Sequence, residues 1–369
     1  MANKYLRATV IAAFFGAFLA SCTAKTTAVS TPGAGNTTAV QVPGAGNCPS
    51  NPPPTAMSPT VTTVVGGSVP AAFGTLYGVA VNASGTLYVT DGGKHQIATI
   101  GPNGTVAVFA GGQKGYADGV GAAAAFDTPM GITVDDGGTV FVSDYGNHRI
   151  RRILPDGTVS TFAGDGQAIM ADGKGTAASF QQLGDLVADH QGNLYVVDIG
   201  TVRKIAPDGT VTTVAAHDPA DVHGDGFPFV NGLGVDVAGN ILAVGRVSLY
   251  RFASDGKQTL MARSPAMMSK DGFYFPADVA VTPDGRMYVS DNGTQSIHQV
   301  DPSSGTVTTI AGFQPCGCIA PRCGYQAIDG VGFQAGFASL GNMVADRAGN
   351  LFAVDGNARI RKVTFPPKP

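Results

Sequence analysis

Six times along this chain a five-residue apolar strand recurs, and in five of the six copies it ends on an aspartate. The copies are LYVTD (residues 87–91), VFVSD (140–144), LYVVD (194–198), ILAVG (241–245), MYVSD (287–291) and LFAVD (351–355), at spacings of 53, 54, 47, 46 and 64 residues. Repetition on this scale constrains the fold strongly, because each unit is one supersecondary element that cannot bury its apolar faces alone. The unit at 131–164, GITVDDGGTVFVSDYGNHRIRRILPDGTVSTFAG, shows the pattern in full. Four short runs (132–134, 140–143, 149–153 and 159–162), rich in Val and Ile, alternate with Gly, Asp, Asn and Pro clusters, which reads as four antiparallel strands. A single such sheet, apolar on both faces, is not stable by itself.

The ends of the chain complete the pattern. The last copy stops after its third strand, near residue 365, and an unattached fourth strand, VTTVVGG at 61–67, stands ahead of the first copy. Pairing the two leaves no blade incomplete and no ring edge open. The expected fold is therefore all-β: a six-bladed β-propeller of four-stranded antiparallel blades, closed by the N-terminal strand pairing with the C-terminal blade. Residues 60–366 form one domain, with a tail at 367–369.

The repeats resemble those of the NHL-repeat family. The resemblance rests on the run at 141–164, on its counterparts, and on a linker DGxGxxAxF at 118–126, 172–180 and, more loosely, 329–337. It covers about five-sixths of the chain. The fourth copy departs from it, with Gly245-Arg246 in place of the aspartate. The family includes scaffolds, sensor domains, RNA binders and a lyase, so the resemblance implies a fold and leaves the function open.

Residues 1–22 read as an export segment: Lys4 and Arg7 open it, residues 8–20 form a short apolar core, and Leu19-Ala20-Ser21-Cys22 resembles a bacterial lipobox whose cysteine is lipidated. The apolar run is too short to remain as a spanning helix. Residues 23–59 are a Thr/Ala/Gly/Pro-rich tether with little charge and no apolar periodicity, reaching roughly 35 Å as a flexible coil. Together they imply a body held by a lipid anchor at the cell envelope, outside the cytoplasm, and at the outer membrane in a Gram-negative cell. Without residues 1–22 the chain keeps 21 basic and 26 acidic side chains, a net charge of −5. That balance gives no footprint for nucleic acid.

Several motifs carry candidate site residues. Asp91, Asp144, Asp198, Asp291 and Asp355 end the second strands. They could hold a cation as a ring of carboxylates, but a repeated position diverges around a ring, and capping of local backbone N–H groups explains it better. His95 and His148 occupy equivalent repeat positions, and His217 and His223 lie in an unrepeated linker without a zinc-site pattern. No histidine falls in an innermost strand, which weighs against the lyase chemistry of the family. The Gly-x-Gly segments at 119–121 and 330–332 open no βαβ helix, and neither a P-loop nor a GxSxG elbow occurs. Cys48, Cys316, Cys318 and Cys323 form an even set suited to disulfides in an exported protein, with three of them in the insertion PCGCIAPRC; four cysteines allow three pairings.

Two functions follow as expectations. The leading one is a non-catalytic, membrane-tethered module, monomeric and without a cofactor, that binds a protein or glycan of the envelope. Its contacts should lie where the repeats disagree, at Arg246, Arg322, Tyr325 and His223, on the face carrying the strand-end acids. The alternative is a lactonase- or lyase-like enzyme with a divalent cation in the central channel.

Overall fold

The computed structural model describes residues 55, 57–66, 73–215, 230–245, 247–253, 257–264, 272–312, 326–356 and 358–367. Six antiparallel sheets make six blades. Their innermost strands are Leu76–Val81, Pro129–Val134, Leu183–Ala188, Val230–Val235, Pro276–Val281 and Leu340–Ala345, for blades 1 to 6. Each packs beside the next, and the last packs beside the first, so the innermost strands ring a central channel. The strand Thr60–Val65 pairs antiparallel with Arg359–Thr364 and is the fourth strand of blade 6.

The core is divided among the blades. Six clusters of buried apolar side chains lie one between each pair of neighbours: for example Ile97 and Ala110 of blade 1 against Val140 and Val142 of blade 2, and Phe352 and Ile360 of blade 6 against Val79 and Val89 of blade 1. A phenylalanine three residues before an innermost strand fills five of these wedges: Phe73, Phe126, Phe180, Phe273 and Phe337 are all buried. Burial of one such ring contributes about 1.5–3 kcal/mol.

Three blades differ from the expected four strands. In blades 2, 3 and 6 the DGxG linker adds a two-residue fifth strand, Gly119–Val120, Gly173–Lys174 or Gly330–Val331, to the blade's own outer edge, and a 3-10 turn follows. The same linkers carry Asp118, Asp172 and Asp329, each bound to an arginine of the third strand: Arg151, Arg203 and Arg361, at 2.6, 2.8 and 3.0 Å. All three arginines are fully buried and also meet the strand-end acid of their blade, Asp144, Asp198 or Asp355, at 2.7–2.9 Å. A buried guanidinium needs this compensation. In blade 5, His298 takes the corresponding place, between Thr294 and Thr309 and 3.7 Å from Asp291.

Candidate functional site

In every blade the pairing of the innermost strand with the second slips within its first few residues. Such a bulge re-aims the side chain it carries. The third residue of the strand sits there, and around the ring it reads Gly78, Gly131, Asp185, Gly232, Asp278 and Asn342. At Gly131, a Cβ would lie 2.4 Å from the carbonyl oxygen of Gly184 in the next blade, and at Gly78 it would lie 2.6 Å from that of Met130. Three blades thus have backbone against backbone at this level, and the other three project polar groups.

Those three groups converge, although they come from blades 3, 5 and 6. The Asn342 amide donates from Nδ2 to Asp278 Oδ2 at 2.7 Å and to Asp185 Oδ1 at 3.0 Å. Its Oδ1 accepts the backbone N–H of Val79 in blade 1, which fixes which way the amide faces. Asp185 Oδ2 accepts from Leu233 N in blade 4, and Asp278 accepts from its neighbour Val279 N and from Met343 N in blade 6, at 2.7–2.8 Å. Blades 3 and 6 lie opposite each other in a six-membered ring, so the Asn342–Asp185 bond crosses the channel.

The two carboxyl groups interact, and burial pushes both pKa values up. Asp185 rises to about 6, chiefly through burial and against the pull of the Leu233 and Leu186 amides. Asp278, 1% exposed, rises well above its ordinary value, through burial and then through the charge of Asp185. Burial thus favours the protonated form of both groups, and they titrate as a pair. Divergent protonation of paired acids is how acid and base roles are separated at one pH.

The donor set is one of hard oxygens, the type that a divalent cation such as calcium or magnesium takes, although Asp278 Oδ2 already accepts two hydrogen bonds. Among the described residues no group of three or more His, Cys, Asp or Glu could hold a metal ion, so the axial cluster offers two carboxylates, the Asn342 oxygen being taken by Val79 N.

The strand-end acids are placed differently. Each is fully buried and spent on its own blade. Asp91 accepts from Gly74, Thr75 and Lys94 N, Asp144 from Asp127 N, and Asp198 from Gln181 and Gln182 N. Asp291 accepts from Tyr274, Phe275, Gly293 and Thr294 N, and Asp355 from Ala338 and Ser339 N. They pin the segment entering the blade, and none joins the axial cluster. Arg246, Arg322, Tyr325 and His223 lie outside the described residues, as do Cys22, Cys48, Cys316, Cys318 and Cys323. Sequence reasoning missed Asp185, Asp278 and Asn342. Their signal was a polar residue at the third innermost position, where the other copies have glycine.

The NHL repeat model matches residues 126–153 and 273–300, the entry to and first three strands of blades 2 and 5. The chain thus carries NHL repeats on a six-bladed β-propeller. Along its sequence the propeller is similar to NHL repeat-containing protein 2 of Bos taurus, 26% identical over 297 residues, which cover 78% of this chain and 38% of that protein. The chain spans well under half the length of the curated relatives it matches. Among solved structures it resembles a gluconolactonase of Xanthomonas campestris, at TM-score 0.56 and 18% identity over 87% of this chain and 99% of that one. It also resembles an auxiliary nutrient binding protein of Bacteroides thetaiotaomicron, at 0.61 and 14% over 84% and 77%. A third is a catalytically inactive virginiamycin B lyase of Staphylococcus aureus, at 0.51 and 14% over 80% and 82%. At these identities the likeness is one of fold.

Proposed function

We propose that this NHL propeller is an envelope-tethered hydrolase of the lactonase kind, with its reaction centre at Asp185, Asp278 and Asn342. The observation that carries this reading is the convergence, across the channel, of two acids bridged by the Asn342 amide, with burial raising both pKa values. Asp185, half-buried and ionised near neutrality, accepts a proton from the attacking water. Asp278 keeps its proton and delivers it to the leaving oxygen. Asn342 holds the two carboxyl groups in register through its amide. The charge of Asp185 selects an uncharged substrate, such as a cyclic ester, over an anion. A divalent cation, if bound, would be held by the carboxylates of Asp185 and Asp278 and would polarise the substrate carbonyl. General acid–base catalysis of this type contributes roughly 10²–10⁴-fold. The test is hydrolysis of glucono-δ-lactone and γ-butyrolactone, followed by proton release with and without Ca²⁺, Mg²⁺, Mn²⁺ or Zn²⁺. Asp185→Asn should lower kcat by at least about 100-fold. Wild-type protein inert towards both lactones under every ion condition would sink the proposal.

A second reading is supported by one observation: the Asp185, Asp278 and Asn342 side chains also tie blade 3 to 4, 5 to 6 and 6 to 1 through backbone N–H groups. In that case the axial cluster is a staple, and the protein is a non-catalytic binding module that uses Arg246, Arg322, Tyr325 and His223 to hold a protein or glycan. Replacing Arg246, Arg322 and Tyr325 by Ala should then abolish capture of an envelope partner by crosslinking, while Asp185→Asn should leave it intact.

A further inference from the structure

At one mouth of the channel the second strands end and the innermost strands begin, as the pairing of Pro129 with Asp144 shows for blade 2. The second residue of each innermost strand lies one step, about 3.3 Å, nearer this mouth than the axial cluster. Around the ring it reads Tyr77, Met130, Gly184, Asn231, Ala277 and Gly341, all half-buried. The residue that follows each second strand stands at the same mouth: Gly92, Tyr145, Ile199, Asn292 and Gly356, with Arg246 outside the described residues. Among the described members of the two rings none is charged.

The bulky members gather on one side. Tyr77 packs on Gly92, where a Cβ would lie 2.4 Å from Cε2 of the ring. Burial and then the phenol of Tyr145 in blade 2 push the Tyr77 hydroxyl pKa up, so the two rings are neighbours. The Tyr145 hydroxyl accepts from Gln182 Nε2 at 3.4 Å, and the Gln182 carbonyl accepts from Ile199 N at 3.1 Å. Tyr77, Tyr145, Gln182 and Ile199 thus form a continuous arc across blades 1 to 3, and Asp185 belongs to the last of these. Ile199 is the unusual member. Blades 1, 2 and 5 join their second and third strands by four residues, whereas blade 3 uses two, Ile199 and Gly200, at φ 44° and 78°. A β-branched residue is rarely held in the left-handed region, and strain of this kind clusters at ligand sites. Here it keeps an isoleucine 41% exposed at the mouth. The opposite side is small: Ala277, Gly341 and Gly356, with Asn231 and Asn292 donating to the carbonyls of Pro276 and Leu340. Of the charged groups in the neighbouring loops, Asp127 is matched by His95 at 3.8 Å and Lys114 at 3.5 Å. A polyol would leave most of its hydroxyls unpaired against such an arc, whereas an alkyl chain gains by leaving water for it.

We propose that the substrate is a γ-lactone bearing a pentyl-sized alkyl chain, its ring over Asp185 and Asp278 and its chain along Tyr77, Tyr145 and Ile199, with Ile199 setting the preference for the chain. The place of the ring rests on the lactonase reading above; the place of the chain rests on the arc alone. The probes are 5-pentylpyrrolidin-2-one and 5-methylpyrrolidin-2-one, lactam analogues that resist hydrolysis, with binding to the whole protein followed by calorimetry and saturation-transfer NMR. The pentyl lactam should bind at least about tenfold more tightly than the methyl lactam, since each buried methylene is worth about fourfold; a smaller ratio overturns the inference. Ile199→Gly should lower that ratio at least about threefold, and it should fold normally because glycine accepts the φ of that turn. Tyr145→Ala should lower it as well, with circular dichroism and melting to establish that the variant is folded. Val237→Ala removes an exposed valine from the first-to-second-strand turn of blade 4, at the opposite mouth, and should leave the ratio unchanged. A ratio unchanged in Ile199→Gly, or lowered as much by Val237→Ala, overturns the inference. Hydrolysis of γ-nonalactone and γ-butyrolactone is measured in parallel. Turnover without a chain preference in lactam binding sinks the alkyl site and leaves the acids their role, whereas chain preference without turnover sinks the reading of the acids and leaves the alkyl site.

Discussion

Arg203→Met tests whether the buried guanidinium is the keystone of its blade. Arg203 is fully buried between Asp198, also fully buried, and Asp172, which is 52% exposed, and it also donates to the carbonyls of Ala171 and Ser179. Methionine fills similar apolar volume but returns no charge. Loss of the Asp172 contact should count for less than about 1 kcal/mol, because water screens that partner. Asp198 matters more: it would keep the Gln181 and Gln182 amides but lose its only counter-ion among the described residues. Breaking one side of a buried pair in this way costs about 3–5 kcal/mol. For a domain of this size that should lower the melting temperature by about 5–8 °C, measured by calorimetry. Arg203→Met combined with Asp198→Asn removes the stranded charge and should recover more than half of the loss. A single variant within about 1 kcal/mol of wild type, or a double variant no better than the single, would refute the reasoning.

Other perturbations have definite directions. Asp185 and Asp278 have raised pKa values, so their contribution to stability is fully present below the unfolded value near 3.8 and is lost as pH rises through the folded value of about 6 for Asp185. A shift from 3.8 to about 6 corresponds to about 3 kcal/mol, so urea midpoints of wild type relative to Asp185→Asn/Asp278→Asn should fall between pH 4 and 7; a flat difference would contradict the raised pKa values. Gly131→Ala places a methyl group against the Gly184 carbonyl and should cost about 1–3 kcal/mol in chemical denaturation, with no loss meaning that the blades do not pack so closely. Removing residues 1–59 should leave a cooperative thermal transition, whereas removing residues 1–66 takes away the strand paired with Arg359–Thr364 and should lower or broaden it; equal melting of the two truncations would show that this pairing does not hold the ring.

The repeated parts of this molecule were legible in sequence because each copy obeys the same period-two pattern and the same turn chemistry. The blades, and the role of the strand-end acids as local anchors, followed from that regularity. The fifth strands were not legible: the DGxG linker is a two-residue ladder, too short for any alternation, and its purpose appears only with Arg151, Arg203 and Arg361, which stand in the same blades. The axial cluster escaped for a different reason. Asp185, Asp278 and Asn342 are 64 to 157 residues apart, and each sits inside a short apolar strand that reads as core. Only the bulge, which turns the third residue from the blade towards its neighbour, makes them one site. Comparison of the same strand position across all six copies would have singled them out, whereas attention to loops led to Arg246 and Arg322.

The pairing of Thr60–Val65 with Arg359–Thr364 has a consequence for the order of assembly. Residue 60 is among the first of the described chain to be made and Thr364 among the last, yet they stand side by side in one ladder. During synthesis, blades 1 to 5 can condense in turn as each interface acquires both of its walls. The early strand has no neighbour until the final residues arrive, and Thr63 must also wait for Asp329, which it meets across 266 positions. Until then blade 1 and blade 5 each present one bare apolar wall. The molecule should therefore be most vulnerable to aggregation and proteolysis just before its last strand appears, and its slowest folding step should be this single end-to-end encounter.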